Sequence, residues 1–232
     1  MSQMRILFVN PNSTSSMTDK VRQTAMSLLP ETVTVDAVSN RQGPASIQGP
    51  TDGDRAVPGM LLEMEQGLAR GADAIVIACF DDTGINEARK MFPVPVVGIG
   101  QAAYHVSMLR GLRFSVVTTL SVSVPVLEDN IRLFGVYPYC CSVRASDVPV
   151  LDLEKPGSAA EQRVSDEIAL AIVEDDCDAI ILGCAGMTDL ASRLSTRHQL
   201  PVIDGVGAAA GLAYALALTE MPDQGSGVLG TP

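Results

Sequence analysis

The chain repeats itself, and the repeat is what most constrains its fold. Residues 71–84 read Gly-Ala-Asp-Ala-Ile-Val-Ile-Ala-Cys-Phe-Asp-Asp-Thr-Gly. Residues 176–189 read Asp-Cys-Asp-Ala-Ile-Ile-Leu-Gly-Cys-Ala-Gly-Met-Thr-Asp. In both, an aspartate opens a short aliphatic run that leads into a cysteine. Cys184 follows Cys79 by 105 positions (184 − 79). Unbroken aliphatic runs of this length suit parallel strands covered on both faces. Helix-starting residues follow each run, so each cysteine is expected at the carboxyl end of a parallel strand. Open α/β sheets take their ligands there.

The surrounding pattern alternates strand and helix. Residues 5–9 read as a strand, 10–16 as turn and cap residues, 17–29 as a helix and 32–38 as a strand. A Gly/Pro/Ser-rich loop over 41–54 precedes a helix at 55–69, a strand at 74–78, a helix at 85–91 and a strand at 94–97. The pattern then restarts: strand 113–119, helix 122–134, strand 136–143, helix 161–174, strand 179–182, helix 187–196, strand 202–203. Matching words at 95–103 and 201–210 lead into helices at 105–110 and 208–219. Alternation of this kind implies α/β architecture with parallel sheets. The expected fold is two pseudo-symmetric α/β halves with the active site in the cleft between them. The first half takes residues 1–98 plus 206–232, with 221–232 as a disordered tail, and the second takes 99–205. The chain should cross between halves near 98–112, and the last helix should return to the first half.

Charge and cysteine usage narrow the partners. A net charge of −11 argues against nucleic acid and against an anionic membrane, since both need a basic patch. Five cysteines without paired spacing do not form a secreted disulfide framework. The apolar run at the amino terminus stops at Asn10, too short for a signal peptide. The nearly apolar stretch 205–218 is shorter than the ~20 residues of a membrane helix. The expectation is a cytoplasmic protein that binds a small molecule.

Several chemistries fail on inventory. Gly98, Gly100 and Ala103 fit a dinucleotide fingerprint, but Thr118 and Thr119 stand where an acidic residue should be. Small residues for close strand-to-helix packing explain these positions better. Only His105 and His198 are present, with no zinc spacing, so no metal is expected. No G-x-S-x-G elbow supports a serine hydrolase. Two thiols on opposite faces of one carbon, one as base and the other as acid, would racemise it. The N–H groups of residues 80–83 and 185–188, read as helix starts, would lower the thiol pKa values and hold an oxyanion. Cys140, Cys141 and Cys177 read as packed small hydrophobes.

At these residues the sequence resembles the hydantoin racemase branch of the aspartate/glutamate/hydantoin racemase superfamily. The resemblance spans about residues 4–220 and rests on Val-Asn-Pro-Asn-Ser-Thr at 9–14, Gly-Pro-Ala-Ser-Ile at 43–47, Ala-Cys-Phe-Asp-Asp-x-Gly at 78–84, Phe-Ser-Val-Val-Thr-Thr at 114–119 and Leu-Gly-Cys-Ala-Gly-Met at 182–187. It implies a cofactor-independent two-base mechanism with Cys79 and Cys184 as the acid/base pair, a site between two pseudo-symmetric halves, and homo-oligomers. Cys79-Phe-Asp and Cys184-Ala-Gly depart from the cysteine words of the amino-acid racemases, which argues against free glutamate or aspartate. Many hydantoin racemases carry one acidic residue and a proline after the Cys-Phe pair, whereas this chain has Asp81-Asp82-Thr83. Two carboxylates suit a neutral ligand rich in N–H donors, and allantoin, a ureido-substituted hydantoin, fits that description. The alternative for Asp82 is a cap on the following helix.

The expected substrate contacts are Asn10, Pro11, Asn12, Ser46, Ile47, Phe80, Asp81, Asp82, Thr118, Thr119, Ala185, Gly186 and Met187, all at strand ends or in nearby loops. Asn10, Pro11 and Asn12 have helix capping as their competing role. Two rival functions stand beside the racemase: a superfamily decarboxylase or cis–trans isomerase of small dicarboxylates, and a non-catalytic binder of a small metabolite.

Overall fold

The computed structural model describes residues 3–154 and 159–219; the tail expected at 221–232 lies outside the described residues. The first sheet is built from β1 (Arg5–Asn10), β2 (Thr34–Ser39), β3 (Ala74–Ile77) and β4 (Val96–Gly98). The second is built from β5 (Phe114–Thr118), β6 (Cys140–Ala145), β7 (Ala179–Gly183) and β8 (Val202–Asp204). Their orders are β2-β1-β3-β4 and β6-β5-β7-β8, parallel throughout, so adding four to every label turns one sheet into the other. The central strands β3, β5 and β7 are buried along their whole length, while the edge strands β2 and β6 are mostly half-buried. That is why the central strands read as unbroken aliphatic runs.

Eight helices surround the sheets among the described residues: α1 (Ser15–Leu28), α2 (Pro50–Ala69), α3 (Ile85–Met91), α4 (Ile99–Leu109), α5 (Val124–Leu133), α6 (Ala159–Glu174), α7 (Ala191–His198) and α8 (Gly205–Ala217). Helix α4 lies along α8 and packs on β7, β8 and α5, whereas α8 packs on β3, β4 and α1. Each sheet's final helix therefore touches the other sheet. The two helices meet at their amino ends, where a methyl at Gly205 would stand 2.7 Å from the Ile99 carbonyl oxygen. Phe80, Tyr104 and Phe114 fill the space between the halves, with ring centroids 5.5 and 5.7 Å apart.

Several boundaries differ from the sequence reading. Helix α2 begins at Pro50 rather than 55, because proline at a first helical position sacrifices no intrahelical bond. Helices α4 and α8 begin at 99 and 205 rather than 105 and 208, since aspartate carboxylates cap both, Asp82 and Asp204 respectively. Strand β6 begins at Cys140 rather than 136 because Tyr137–Tyr139, with Pro138 inside it, forms a 3-10 turn. The segment expected as a helix at 187–196 is a 3-10 turn, Ala185–Leu190, followed by α7.

The exposed edge of β6 is tied down. Arg144 reaches Asp175 (2.6 and 2.8 Å), Glu174 (2.6 Å) and Glu167 (3.2 Å), and Asp175 also accepts from the Ser115 hydroxyl at 2.7 Å. A charged, committed side chain on an edge strand also discourages edge-to-edge pairing.

Candidate active site

Both cysteines stand where the repeat predicts, just past the carboxyl ends of β3 and β7. The central pairings run Val9↔Ile77 in one sheet and Thr118↔Gly183 in the other. They bring Asn10 beside the Cys79 loop and Thr119 beside the Cys184 loop. The two thiols sense each other: charge at Cys184 is among the influences raising the pKa of Cys79.

The two loops differ in local structure. Cys184 is the extended residue before the 3-10 turn Ala185–Leu190, so the predicted helix start is present there in 3-10 form. Gly186 lies beside the thiol, and a methyl on it would meet Cys184 Sγ at 3.6 Å and Met17 Cε at 3.9 Å, ordinary contact distances. Residues 80–83, by contrast, do not begin a helix. They form a tight turn in which the Asp82 N–H donates to the Cys79 carbonyl (3.1 Å), and α3 starts only at Ile85. The expected lowering of the Cys79 pKa is accordingly not met. Burial pushes this thiol well above its usual range and the Asp81 carboxylate pushes it further, against the Thr83 hydroxyl and the Asp81 N–H. Desolvation of the anion outweighs two hydrogen bonds here.

The adjacent carboxylates have different tasks. Asp82 is buried and accepts from Gly100 N (2.9 Å) and Gln101 N (2.7 Å). It is a helix cap, but of α4 rather than of α3, the helix that follows it. Its backbone is left-handed (φ 50°), a conformation aspartate tolerates better than most residues. In the second half Asp204 caps α8 from its own strand end, accepting from Val206 N (3.1 Å) and Gly207 N (2.7 Å). The matching position in the first half is Gly98, and Asp82 reaches into the space that glycine leaves. The small residues at 98 and 100 thus serve close packing, not a nucleotide.

Asp81 faces the second half. Its carboxylate takes a hydrogen bond from Ser123, and its carbonyl accepts from Asn130 Nδ2 of α5 at 2.8 Å. Burial raises Asp81 to about 6 and Asp82 to about 7. A folded-state pKa above the ordinary 3.8 favours the protonated form in the fold. The associated stability is therefore complete below about pH 4 and is lost as pH rises through 6. For Asp81 the loss is on the order of 3 kcal/mol. Asp81→Asn should flatten this decline, so urea midpoints at pH 5 and pH 8 should lie closer together than in the parent. An unchanged gap would mean the carboxylate is not strained by burial.

The remaining predicted contacts divide into scaffold and wall. The Asn10 amide is spent within its own loop, donating to Asn12 Oδ1 (2.9 Å) and Thr18 Oγ1 (3.0 Å) and accepting from Asn12 N (3.1 Å). Asn12 in turn accepts from Thr14 N (2.9 Å) and donates to Met17 Sδ (3.4 Å). Pro11 is buried in the same turn and its carbonyl abuts Gly43. Thr118 donates to the Gly183 carbonyl (2.9 Å), pinning β5 to the end of β7. Phe80 and Met187 turn their side chains into the core, leaving main chain for a ligand. Ser46, Ile47 and Thr119 are buried, and Ser46 Oγ accepts from Gln48 Nε2 at 2.9 Å.

Sequence reasoning missed the groups that cross between segments. Lys20 Nζ donates to the Gly186 carbonyl (3.4 Å) and pairs with Asp189 (3.6 Å). Ser123 and Asn130 hold Asp81 from the other half. Nothing local marks these three residues. Thr83, whose hydroxyl donates to Cys79 Sγ at 3.6 Å, had a signal in its closeness to the thiol. It also lines a cavity of about 450 Å³ with Pro50, Asp54, Glu87 and Asn130; neither cysteine is on its wall.

Two matched parallel α/β halves, each presenting a cysteine at the end of an equivalent strand, define a class of pseudo-symmetric cleft proteins. Within that class the chain belongs to the Asp/Glu/hydantoin racemase family, whose model matches residues 6–213. It is 48% identical over 213 residues to a hydantoin racemase of Rhizobium meliloti, covering 92% of this chain and 88% of that protein. The fold is similar to that of an allantoin racemase from Klebsiella pneumoniae, with a TM-score of 0.88 and 35% identity over 92% of this chain and 87% of that one. An allantoin racemase from Pseudomonas fluorescens gives a TM-score of 0.86 and 36% identity over 92% and 90%.

Proposed function

We propose that the protein racemises 5-substituted hydantoins, allantoin among them, through Cys79 and Cys184. The observation that carries this reading is the thiol pair at equivalent strand ends, each within the other's electrostatic reach. In one direction the Cys79 thiolate takes the C5 proton. The C5–H bond breaks, an S–H bond forms, and the electron pair passes into the adjacent carbonyl as an enolate. Cys184 then delivers its own proton to the opposite face, restoring C5–H and leaving a thiolate. The enzyme is now set for the mirror-image substrate. Only one of two coupled thiols needs to ionise, which like-charge repulsion favours. A thiol whose pKa is raised by burial is a stronger base once ionised.

The main-chain N–H groups of Phe80, Ala185 and Gly186 are the proposed oxyanion donors, those of Asp81, Asp82 and Met187 being committed within their own loops. Asp81 is the proposed acceptor for ring or ureido N–H groups, and Ile47 and Thr119 the proposed packing surface for the ring. Self-association is part of the proposal; exposed Leu109, Leu216 and Leu218, at the ends of α4 and α8, support it. A reducing, cytoplasmic setting agrees with the unbridged thiols of Cys79, Cys140, Cys141 and Cys177.

In deuterated water the enzyme should exchange C5–H of such rings well above the spontaneous rate, and polarimetry should show the rotation of either hand decaying to zero. A panel of 5-substituted hydantoins including allantoin that shows neither would end this reading.

A further inference from the structure

We propose that Thr83 is a positioning residue for Cys79, orienting the sulfur and holding its anionic form through the hydroxyl hydrogen bond. The inference deepens the racemase reading and rests on it. The geometry starts from the chain direction. Gly84 is left-handed (φ 69°), and a methyl there would crowd Met60 and Val57 of α2. The Ile85 N–H donates to the Asp82 carbonyl at 3.1 Å. Residue 83 is therefore held between two fixed turns, with its side chain against Gly53 of α2. A Cβ at Gly53 would stand 3.5 Å from Thr83 Cγ2 and 3.6 Å from Oγ1. From this seat the hydroxyl reaches Cys79 Sγ at 3.6 Å.

The charged and titratable groups around Cys79 pull in one direction. Asp81 on its own loop and Cys184 from the facing half both disfavour a thiolate. Asp54 and Glu87 line the cavity behind Thr83, and Asp82 is turned away to the amino end of α4. Two donors favour the anion, the Thr83 hydroxyl and the Asp81 N–H. A hydroxyl donated to a thiolate is a charge-assisted bond and favours the anion over the thiol. Cys79 must pass through the thiolate in every turnover, whichever hand is bound, so Thr83 acts on both directions.

The test compares the parent with Thr83→Val and Thr83→Ser in the full chain. The rate of Cys79 alkylation by iodoacetamide is followed across pH by peptide mass spectrometry, beside the pH profile of kcat/KM. Thr83→Val should raise the alkylation midpoint and the acid limb of kcat/KM together, by about one pH unit, a roughly tenfold loss below the limb. Thr83→Ser should restore both. An alkylation midpoint that does not move in Thr83→Val overturns the assignment whatever the activity. A uniform fall in kcat/KM at every pH with an unmoved midpoint also overturns it, because that is a packing effect. A shifted midpoint in a protein that never exchanges C5–H supports the hydrogen bond while overturning the racemase reading. If the valine variant does not fold, Thr83→Ala carries the same comparison.

Discussion

Cys79→Ser and Cys184→Ser should each lose racemisation in both directions, by on the order of 10³-fold or more. Serine is isosteric enough to leave the loops in place, but its hydroxyl is far too weak an acid to supply a base at neutral pH. On the proposed mechanism both directions fail together, because each would use one cysteine to remove the proton and the other to return it. For mirror-image substrates the overall equilibrium constant is one, so kcat/KM for the two hands must fall by the same factor. The single variants separate the roles. With Cys184 replaced, Cys79 can still remove and return a proton on one face. Deuterium should therefore enter C5 of one hand without inversion, and the other hand should stay inert. Cys79→Ser should show the reverse preference, and the double variant should show neither. Undiminished racemisation in either single variant would rule out the two-base assignment.

Gly98→Ala should cost about 3 kcal/mol of stability. In a protein of this size that lowers Tm by roughly 6–12 °C. The added methyl would overlap Asp82 Oδ1 and Cγ, and the backbone of β4 cannot retreat because it is paired along β3. Asp82 must then leave the amino end of α4, and the Gly100 and Gln101 N–H groups lose the carboxylate they bond. The two positions should couple. Once the cap is lost through Asp82→Ala, the same glycine substitution should cost much less, and a double-mutant cycle measures the difference. Additive effects would mean Gly98 serves some other constraint. Because Asp82 is three residues from Cys79, displacement of the cap should also depress turnover.

The second helix cap makes the contrast clear. Asp204 lies two and three residues before the N–H groups it binds, and a reader of the sequence can find it from the aspartate at the strand end. Asp82 lies eighteen residues before Gly100, so nothing local announces it. The same distinction separates Asn10 from Thr83. Asn10 reads as a turn residue and behaves as one, because its partners are within eight positions. The electrostatics of Cys79 depend on burial and on Asp81, and no spacing rule reports burial at one atom. Residues 80–83 carried helix-start chemistry yet became a turn, since the Asp82 carboxylate was drawn to α4 instead of capping α3.

By itself, the sequence determined the two α/β halves, the strand-end placement of both cysteines and the family, because each rests on local patterning. Aliphatic runs, turn residues and a 105-position repeat act over distances along the chain that a reader can measure. Only the tertiary structure decided what happens between the repeats. It turned Asp82 to a distant helix and left Asp81 facing Ser123 and Asn130. Those outcomes follow from shared space in one cleft. Packing and desolvation there are collective properties of segments that the chain keeps far apart.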